Sequence, residues 1–140
     1  MNKRIKIIIL LFSVLLITIT LSSCAARTYF PYGIWHSESL GLTLYIDHSH
    51  QINTYDYLGI SSNDGVENKV IVVPSQVHGI ILIFEYDVVD NEVKRGAEWL
   101  GGTYRIRNDR LYLQLHRNSQ ELIGISRIVF EKIAEVEVIE

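Results

Sequence analysis

The stretch GTYRIRNDRLYLQLH, residues 102–116, decides the fold because it contains two short strands joined by a tight turn. Apolar and polar residues alternate on both sides of Asn108-Asp109, as they do in half-buried strands. A two-residue turn of this type connects antiparallel strands in a hairpin. We therefore predict strands at residues 102–107 and 110–116. Their inward residues are expected to be Leu111, Leu113 and Leu115, and their outward residues Arg105, Arg107 and Gln114.

Similar strand patterns run through most of the chain. Further strands are predicted at residues 40–47, 51–58, 68–73, 79–89 and 121–133, the last with a bulge at residues 124–126. Turns are predicted at residues 48–50 and 61–65, and only residues 92–100 suggest a short helix. The chain is therefore predicted to be all-β, a single antiparallel meander of about eight strands. Closure into a small barrel would remove exposed sheet edges; a β-sandwich or a half-barrel is the alternative.

The first 23 residues have the composition of a secretory signal. Lys3, Arg4 and Lys6 form a basic start, and residues 7–21 are almost entirely apolar. This run of 15 residues is shorter than the about 20 that a membrane-spanning helix needs. We therefore predict an N-terminal signal helix at residues 1–23, which directs the remainder of the chain out of the cytoplasm.

Leu21-Ser22-Ser23-Cys24 ends the apolar run and contains the single cysteine of the chain. It resembles the lipobox of bacterial lipoproteins, in which a diacylglycerol is attached to the cysteine. The resemblance implies that Cys24 is lipidated, that residues 24–31 are a short tether and that residues 32–140 form the folded domain. The protein would then be extracytoplasmic and lipid-anchored to a bacterial membrane: the cell membrane, or the outer membrane where there are two. The alternative is an incidental thiol beside an ordinary signal-peptidase site.

The predicted mature chain is acidic. Residues 24–140 carry a net charge of −6, because the leader takes three of the 13 basic residues and none of the 16 acidic ones. Such a domain binds nucleic acid poorly and is repelled by anionic lipids. Membrane contact is therefore expected through the lipid anchor and not through a basic face. Other expected partners are an envelope protein or a small apolar ligand, and no nucleic acid.

Gly33-Ile34-Trp35 lies just before, or on, the first strand of the predicted domain. This Gly-x-Trp motif resembles the start of the lipocalins, in particular of short bacterial lipocalin-like lipoproteins. In that family the tryptophan closes one end of the barrel, and a basic residue near the last strand packs across it. The resemblance implies a structural role for Trp35, with Arg127 as its basic partner.

Two histidines stand close together in His48-Ser49-His50, next to Asp47. Neutral imidazoles bind Zn²⁺ or Cu²⁺, and His78 or His116 could supply a third ligand. These residues are therefore a candidate metal site, and a polar turn is the alternative explanation.

Tyrosine is abundant, with eight residues in the chain. Tyr45, Tyr55 and Tyr57 fall on neighbouring predicted strands and are expected to share the face opposite the apolar one. Cross-strand aromatic pairs stabilise a sheet, but tyrosine is also favoured at protein interfaces. These three residues form the predicted patch for a ligand or a partner.

Catalytic motifs are absent from the sequence. It contains no Gly-x-Ser-x-Gly, no His-Glu-x-x-His and no glycine-rich phosphate loop. We therefore expect a protein that is not an enzyme, needs no cofactor and acts as a membrane-anchored interaction or binding module. Two alternatives stay open: carriage of a small apolar ligand in a lipocalin-like barrel, and metal binding through His48 and His50.

Overall fold

A computed structural model describes residues 2–23 and 29–134 of the chain. Each strand in this part of the chain pairs antiparallel with the next, and the last pairs with the first. The result is one all-β meander that closes into a barrel-like ring, named the β-ring below, which confirms the predicted fold class. Its strands are β1 Gly33–Ser37, β2 Leu42–Ile46, β3 Tyr57–Asn63, β4 Val66–Ser75, β5 Ile80–Val89, β6 Glu92–Arg107, β7 Arg110–Leu115 and β8 Arg127–Ala134. The helices are α1 Lys3–Ser23 and α2 Arg117–Ile123, and His48–His50 is a 3₁₀ turn.

Two-residue turns make the tightest connections of the β-ring. Asn108 and Asp109 have φ angles of 52° and 57°, and Asp90 and Asn91 have 53° and 62°. Asn and Asp tolerate this left-handed region better than most residues with a side chain. Two successive residues with positive φ also match the twist of a hairpin. The hairpin predicted around Asn108-Asp109 is therefore confirmed.

Apolar side chains fill the interior of the β-ring. Trp35, Tyr104 and Phe130 are its largest members and are at most 2% exposed. The three leucines of β7 face this interior, as predicted. Burying each Leu, Ile or Val stabilises the fold by about 1.5–3 kcal/mol. The other members of the core are Leu42, Leu44, Ile46, Tyr57, Val70, Val72, Ile81, Ile83, Leu100 and Ile128.

The strand predicted at residues 51–58 is wrong over most of its length, because β3 begins only at Tyr57. The side chain of Asn53 gives the reason. Its Oδ1 accepts hydrogen bonds from the backbone N–H groups of Tyr55 and Asp56, both at 3.2 Å. Local bonds of this kind offer the backbone an alternative to a sheet ladder. Residues 51–56 are therefore a loop.

The strand predicted at residues 121–133 is wrong in its first half, because residues 121–123 belong to α2 and residues 124–126, the predicted bulge, connect α2 to β8. This helix ends at Gly124, whose φ of 74° is the left-handed cap that glycine favours. Ser119 holds the helix to the β-ring, because its Oγ accepts a hydrogen bond from the Gly101 N–H at 2.9 Å. Strand β8 then begins at Arg127.

The short helix predicted at residues 92–100 is also wrong, since these residues belong to β6. β6 is 16 residues long and pairs with β5 from Glu92 to Thr103. It also pairs with β7 from Gly102 to Arg107. Pairing with two neighbours satisfies its backbone groups better than an isolated short helix could.

The helix α1 coincides with the predicted signal helix. Its apolar side chains are exposed, with Ile8 at 63%, Leu10 at 65% and Phe12 at 64%. Within residues 2–23 and 29–134, no helix is long and apolar enough to cross a membrane. The lipidation predicted at Cys24 lies outside the described residues, as do residues 135–140.

Candidate functional site

The β-ring has two ends, and its up-and-down topology determines which segments meet at each. β1 begins and β8 ends at one end, where the β2–β3, β4–β5 and β6–β7 connections also lie. We name it the tether end, because the predicted tether leads into β1 there. The opposite end, the far end, has the β1–β2, β3–β4 and β5–β6 connections together with α2.

Residues 29–32 close the tether end. The Trp35 Nε1–H donates a hydrogen bond to the Pro31 carbonyl at 2.9 Å, and the Tyr104 hydroxyl donates one to the Tyr29 carbonyl, also at 2.9 Å. Phe30 packs against the core, with its ring centroid 6.2 Å from that of Tyr57. Burial raises the pKa of Tyr104 to about 12. The segment that precedes β1 is therefore fastened to the interior of the β-ring.

Trp35 has a basic residue across its ring, but this residue is Lys132 and not Arg127. The Lys132 Nζ stands 5.7 Å from the Trp35 ring, because the two residues are direct partners in the β1–β8 register. Arg127 starts β8 at the far end and stands 5.5 Å from the Tyr112 ring instead. The prediction for Arg127 is therefore wrong, and the structural role of Trp35 agrees with its full burial.

Asp47 organises the predicted histidine turn. Asp47 is 5% exposed, and its carboxylate accepts a hydrogen bond from the His50 backbone N–H at 2.8 Å. The His50 Nδ1 lies 2.7 Å from the same oxygen. The His50 ring also lies 4.7 Å from the Tyr45 ring, and the His48 ring lies 5.9 Å from the Tyr32 ring. The turn is thus held by one buried carboxylate and by two aromatic contacts.

The histidines do not come together as a three-ligand metal site. Among the described residues, no three His, Cys, Asp or Glu side chains are grouped so that they could hold a metal ion. His78 lies in the β4–β5 connection at the tether end, whereas His116 precedes α2 at the far end. The metal prediction therefore depends on His48 and His50 alone.

The three predicted tyrosines do not share a face. Tyr57 is 5% exposed and belongs to the core, because β3 starts at this residue with its side chain inward. Burial, together with nearby Tyr32 and Asp47, raises the pKa of Tyr57. Tyr45 is half-buried on the outer face of β2, and Tyr55 is 68% exposed in the loop before β3. The expected common face is therefore wrong for Tyr57, and binding by Tyr45 and Tyr55 stays a prediction.

An apolar row on the outer face was missed by the sequence analysis. It crosses five neighbouring strands in direct register and consists of Ile34, Tyr45, Leu58, Ile71 and Phe84. Ile71 has no exposed surface although it points away from the core. The sequence did not reveal this row, because Val and Ile occur on both faces of β4 and β5 and the outer face therefore cannot be told from the inner one.

An ion pair lies over part of this row. The Arg95 Nε donates to the Asp56 Oδ1 at 2.9 Å, and the Arg95 guanidinium stands 5.4 Å from the Phe84 ring. Asp56 is 4% exposed. The arginine on β6 thus contacts a ring on β5 and a carboxylate just before β3. This pair fastens the loop of residues 51–56 to the outer face.

Comparison of the chain with protein-family models, with curated proteins and with solved structures finds no significant match.

Proposed function

We propose that the protein is a membrane-anchored extracytoplasmic lipoprotein whose β-ring serves as a non-enzymatic interaction module. The observation that carries this proposal is the sequence Leu21-Ser22-Ser23-Cys24 at the end of an apolar helix. The β-ring begins at Gly33, only nine residues after Cys24. Two acyl chains on one cysteine would hold such a domain stably at a membrane, since each buried methylene contributes about 0.8 kcal/mol.

The packing of the β-ring favours a role for its surface over a role for its interior. A carrier of small apolar ligands needs a cavity lined by side chains. The inward positions hold Trp35, Tyr104 and Phe130 together with Leu and Ile side chains that are almost fully buried. In a small antiparallel ring packed in this way, side chains occupy the space that a ligand would need in a carrier. This supports interaction with a partner as the leading function and ranks ligand carriage below it.

The exposed tyrosines are the first residues to test for partner binding. Tyr55→Ser should leave the fold intact, because only the backbone N–H of Tyr55 makes a hydrogen bond in its loop. Tyr57→Ser is unsuitable for this purpose, since it removes a buried ring from the core. We expect Tyr55→Ser to lower the recovery of envelope proteins in a pull-down. Recovery equal to that of the unaltered protein would remove Tyr55 from the binding surface.

The anchor is tested with paired variants at the predicted lipidation site. Cys24→Ala should abolish labelling by radioactive palmitate and release the protein from the membrane fraction. Ser22→Ala is the matched control, because it keeps a small residue before the cysteine and should leave labelling unchanged. Globomycin, which inhibits the lipoprotein signal peptidase, should make the unprocessed chain accumulate. A native protein that never acquires label under these conditions would contradict the proposed function.

A further inference from the structure

Exposed aromatic side chains gather at the tether end of the β-ring. Tyr29 is 68% exposed, Tyr32 41% and Tyr55 68%. The exposed large apolar residues of the far end are all aliphatic within the described residues. Tyrosine prefers the boundary between lipid and water, because its ring is apolar and its hydroxyl hydrogen-bonds to water and headgroups. The tether end thus has the composition of a membrane-facing surface.

Aliphatic residues extend this surface. Val77 stands at the tip of the β4–β5 connection and is 90% exposed, and Ile133 near the end of β8 is 59% exposed. Neither residue belongs to the core or to the residues packed against it. Because they are exposed at the same end as the three tyrosines, this end has an apolar surface whose contact with water is unfavourable in free energy.

Exposed acidic residues are divided unevenly between the two ends. Arg107 and Arg110 flank the β6–β7 turn at the tether end, and Arg110 lies 3.4 Å from Glu131. Asp109 is the other exposed acidic residue at this turn. Most exposed acidic residues lie in or beside the connections of the far end, namely Glu38, Asp64, Glu67, Asp87, Asp90, Glu92 and Glu121. The far end also has exposed basic residues, such as Arg117 and Arg127, but most of the exposed acidic residues lie there and not at the tether end.

The covalent chain limits how far the tether end can be from a lipid at Cys24. Cys24 precedes Tyr29 by five residues, and five extended residues span at most about 17 Å. Tyr29 is itself fastened to the β-ring through its carbonyl and the Tyr104 hydroxyl. A lipid on Cys24 therefore keeps this end, and not the far end, near the bilayer.

We propose that the tether end of the β-ring rests on the phospholipid headgroup layer, with Tyr29 and Tyr32 at the lipid interface and Arg107 and Arg110 against the phosphates. Arginine suits this contact, because its planar guanidinium binds phosphate oxygens in pairs. The inference rests on the proposed lipid anchor. It leaves the far end, with its acidic residues, directed away from the membrane.

The orientation is tested with the mature acylated protein, purified from membranes and reconstituted in vesicles of phosphatidylethanolamine and phosphatidylglycerol. Val77→Cys and Val66→Cys place one fluorescent label at each end, at valines that are 90% and 59% exposed. The label at position 66 is at the start of β4, and the label at position 77 lies beyond its end; the ten residues of this strand correspond to about 30 Å along the strand direction. Lipids with a nitroxide at the headgroup should quench most of the fluorescence at position 77 and leave position 66 unquenched. Equal quenching at both positions would overturn the proposed orientation.

Further variants test whether the named side chains make the contact. Arg107→Glu with Arg110→Glu should reduce the quenching at position 77, and Tyr29→Ser, which removes an exposed ring and keeps the backbone carbonyl that Tyr104 binds, should do the same. Arg117→Glu with Arg127→Glu, a double charge reversal at the far end, is the matched control and should change nothing. Quenching that survives all of these changes would mean that the tether alone determines the position, which also overturns the inference.

The two proposals fail in different ways. The mass of the N-terminal peptide shows whether Cys24 carries lipid, independently of the quenching. An acylated protein with an unquenched label at position 77 would refute the docking and leave the anchor in place. A protein without lipid, whose own Cys24 takes up the label, would refute the anchor and the docking together.

Residues 135–140 follow β8 and add Glu135, Glu137 and Glu140. A chain that ends at Ala134 should therefore show quenching at position 77 that is at least as strong as in the full chain.

Discussion

Replacement of Tyr104 by phenylalanine should change the pH dependence of stability in a defined way. The Tyr104 hydroxyl donates a 2.9 Å hydrogen bond to the Tyr29 carbonyl and is buried. Loss of one such bond costs about 1 kcal/mol at neutral pH, so Tyr104→Phe should be the less stable protein there. Burial raises the pKa of Tyr104 to about 12 from its ordinary value of 10.0.

The sign of the alkaline effect follows from this raised pKa. Below pH 10 the phenol is protonated in both the folded and the unfolded chain, and its full contribution to stability is present. Between pH 10 and 12 the unfolded chain loses this proton first, so the folded state is progressively destabilised. The loss is about 1.4 kcal/mol at pH 11 and approaches about 2.7 kcal/mol above pH 12. Tyr104→Phe has no such group, and the two stabilities should therefore cross slightly below about pH 11.

Urea unfolding of both proteins between pH 7 and pH 11.5, followed by tryptophan fluorescence, measures this difference. Other groups that ionise in this range are common to both proteins and cancel in the comparison. Tyr55→Phe is the control, since its ring is 68% exposed and its stability should follow that of the unaltered protein at every pH. A stability difference between Tyr104→Phe and the parent that stays constant up to pH 11.5 would refute the reasoning.

Two further substitutions test the contacts that hold the β-ring together. Lys132→Met should lower the free energy of unfolding by about 1 kcal/mol and change the fluorescence of Trp35, because Lys132 stands over that ring. Arg127→Met should leave the fluorescence of Trp35 unchanged. The reverse result would support the predicted contact between Arg127 and Trp35. Ser119→Ala should cost about 1–3 kcal/mol in urea unfolding, since it leaves the buried Gly101 N–H without its acceptor; an unchanged midpoint would show that α2 is held by other contacts.

Local patterns were sufficient where a single interaction determines the structure. Asn108 and Asp109 adopt positive φ readily, and the alternation around them has one apolar face, so the turn and the inward leucines of β7 were predictable. The closed meander followed because short strands with tight turns leave few other ways to cover their edges. These features depend on residues close together in the sequence.

Other features depend on partners that are distant in the sequence. Ile81 and Ile83 are buried inside while Leu82 and Phe84 are half-buried outside, so the apolar run of β5 does not reveal which side is inward. The assignment follows from pairing with Val72 and Leu100. A one-residue shift in the pairing register of a strand moves every one of its side chains to the other face.

Tyr57 was assigned to the wrong face because the alternation was counted through residues 51–56, which form a loop and not a strand. The loop before it is held by Asn53, whose side chain competes with the sheet for the backbone N–H groups. The basic partner of Trp35 likewise depends on the β1–β8 register, which pairs it with Lys132 across a separation of almost the whole domain. Gly124 was the one local signal for the end of α2, because glycine after a short segment is typical of a helix cap.

The intact mass of the protein extracted from its native membrane tests the anchor most directly. The account predicts a mature chain that begins at Cys24 and carries the added mass of a diacylglycerol on the sulfur, with or without a further acyl chain on the new amino terminus. A mature chain that begins at another residue, or one with an unmodified thiol at Cys24, would contradict it.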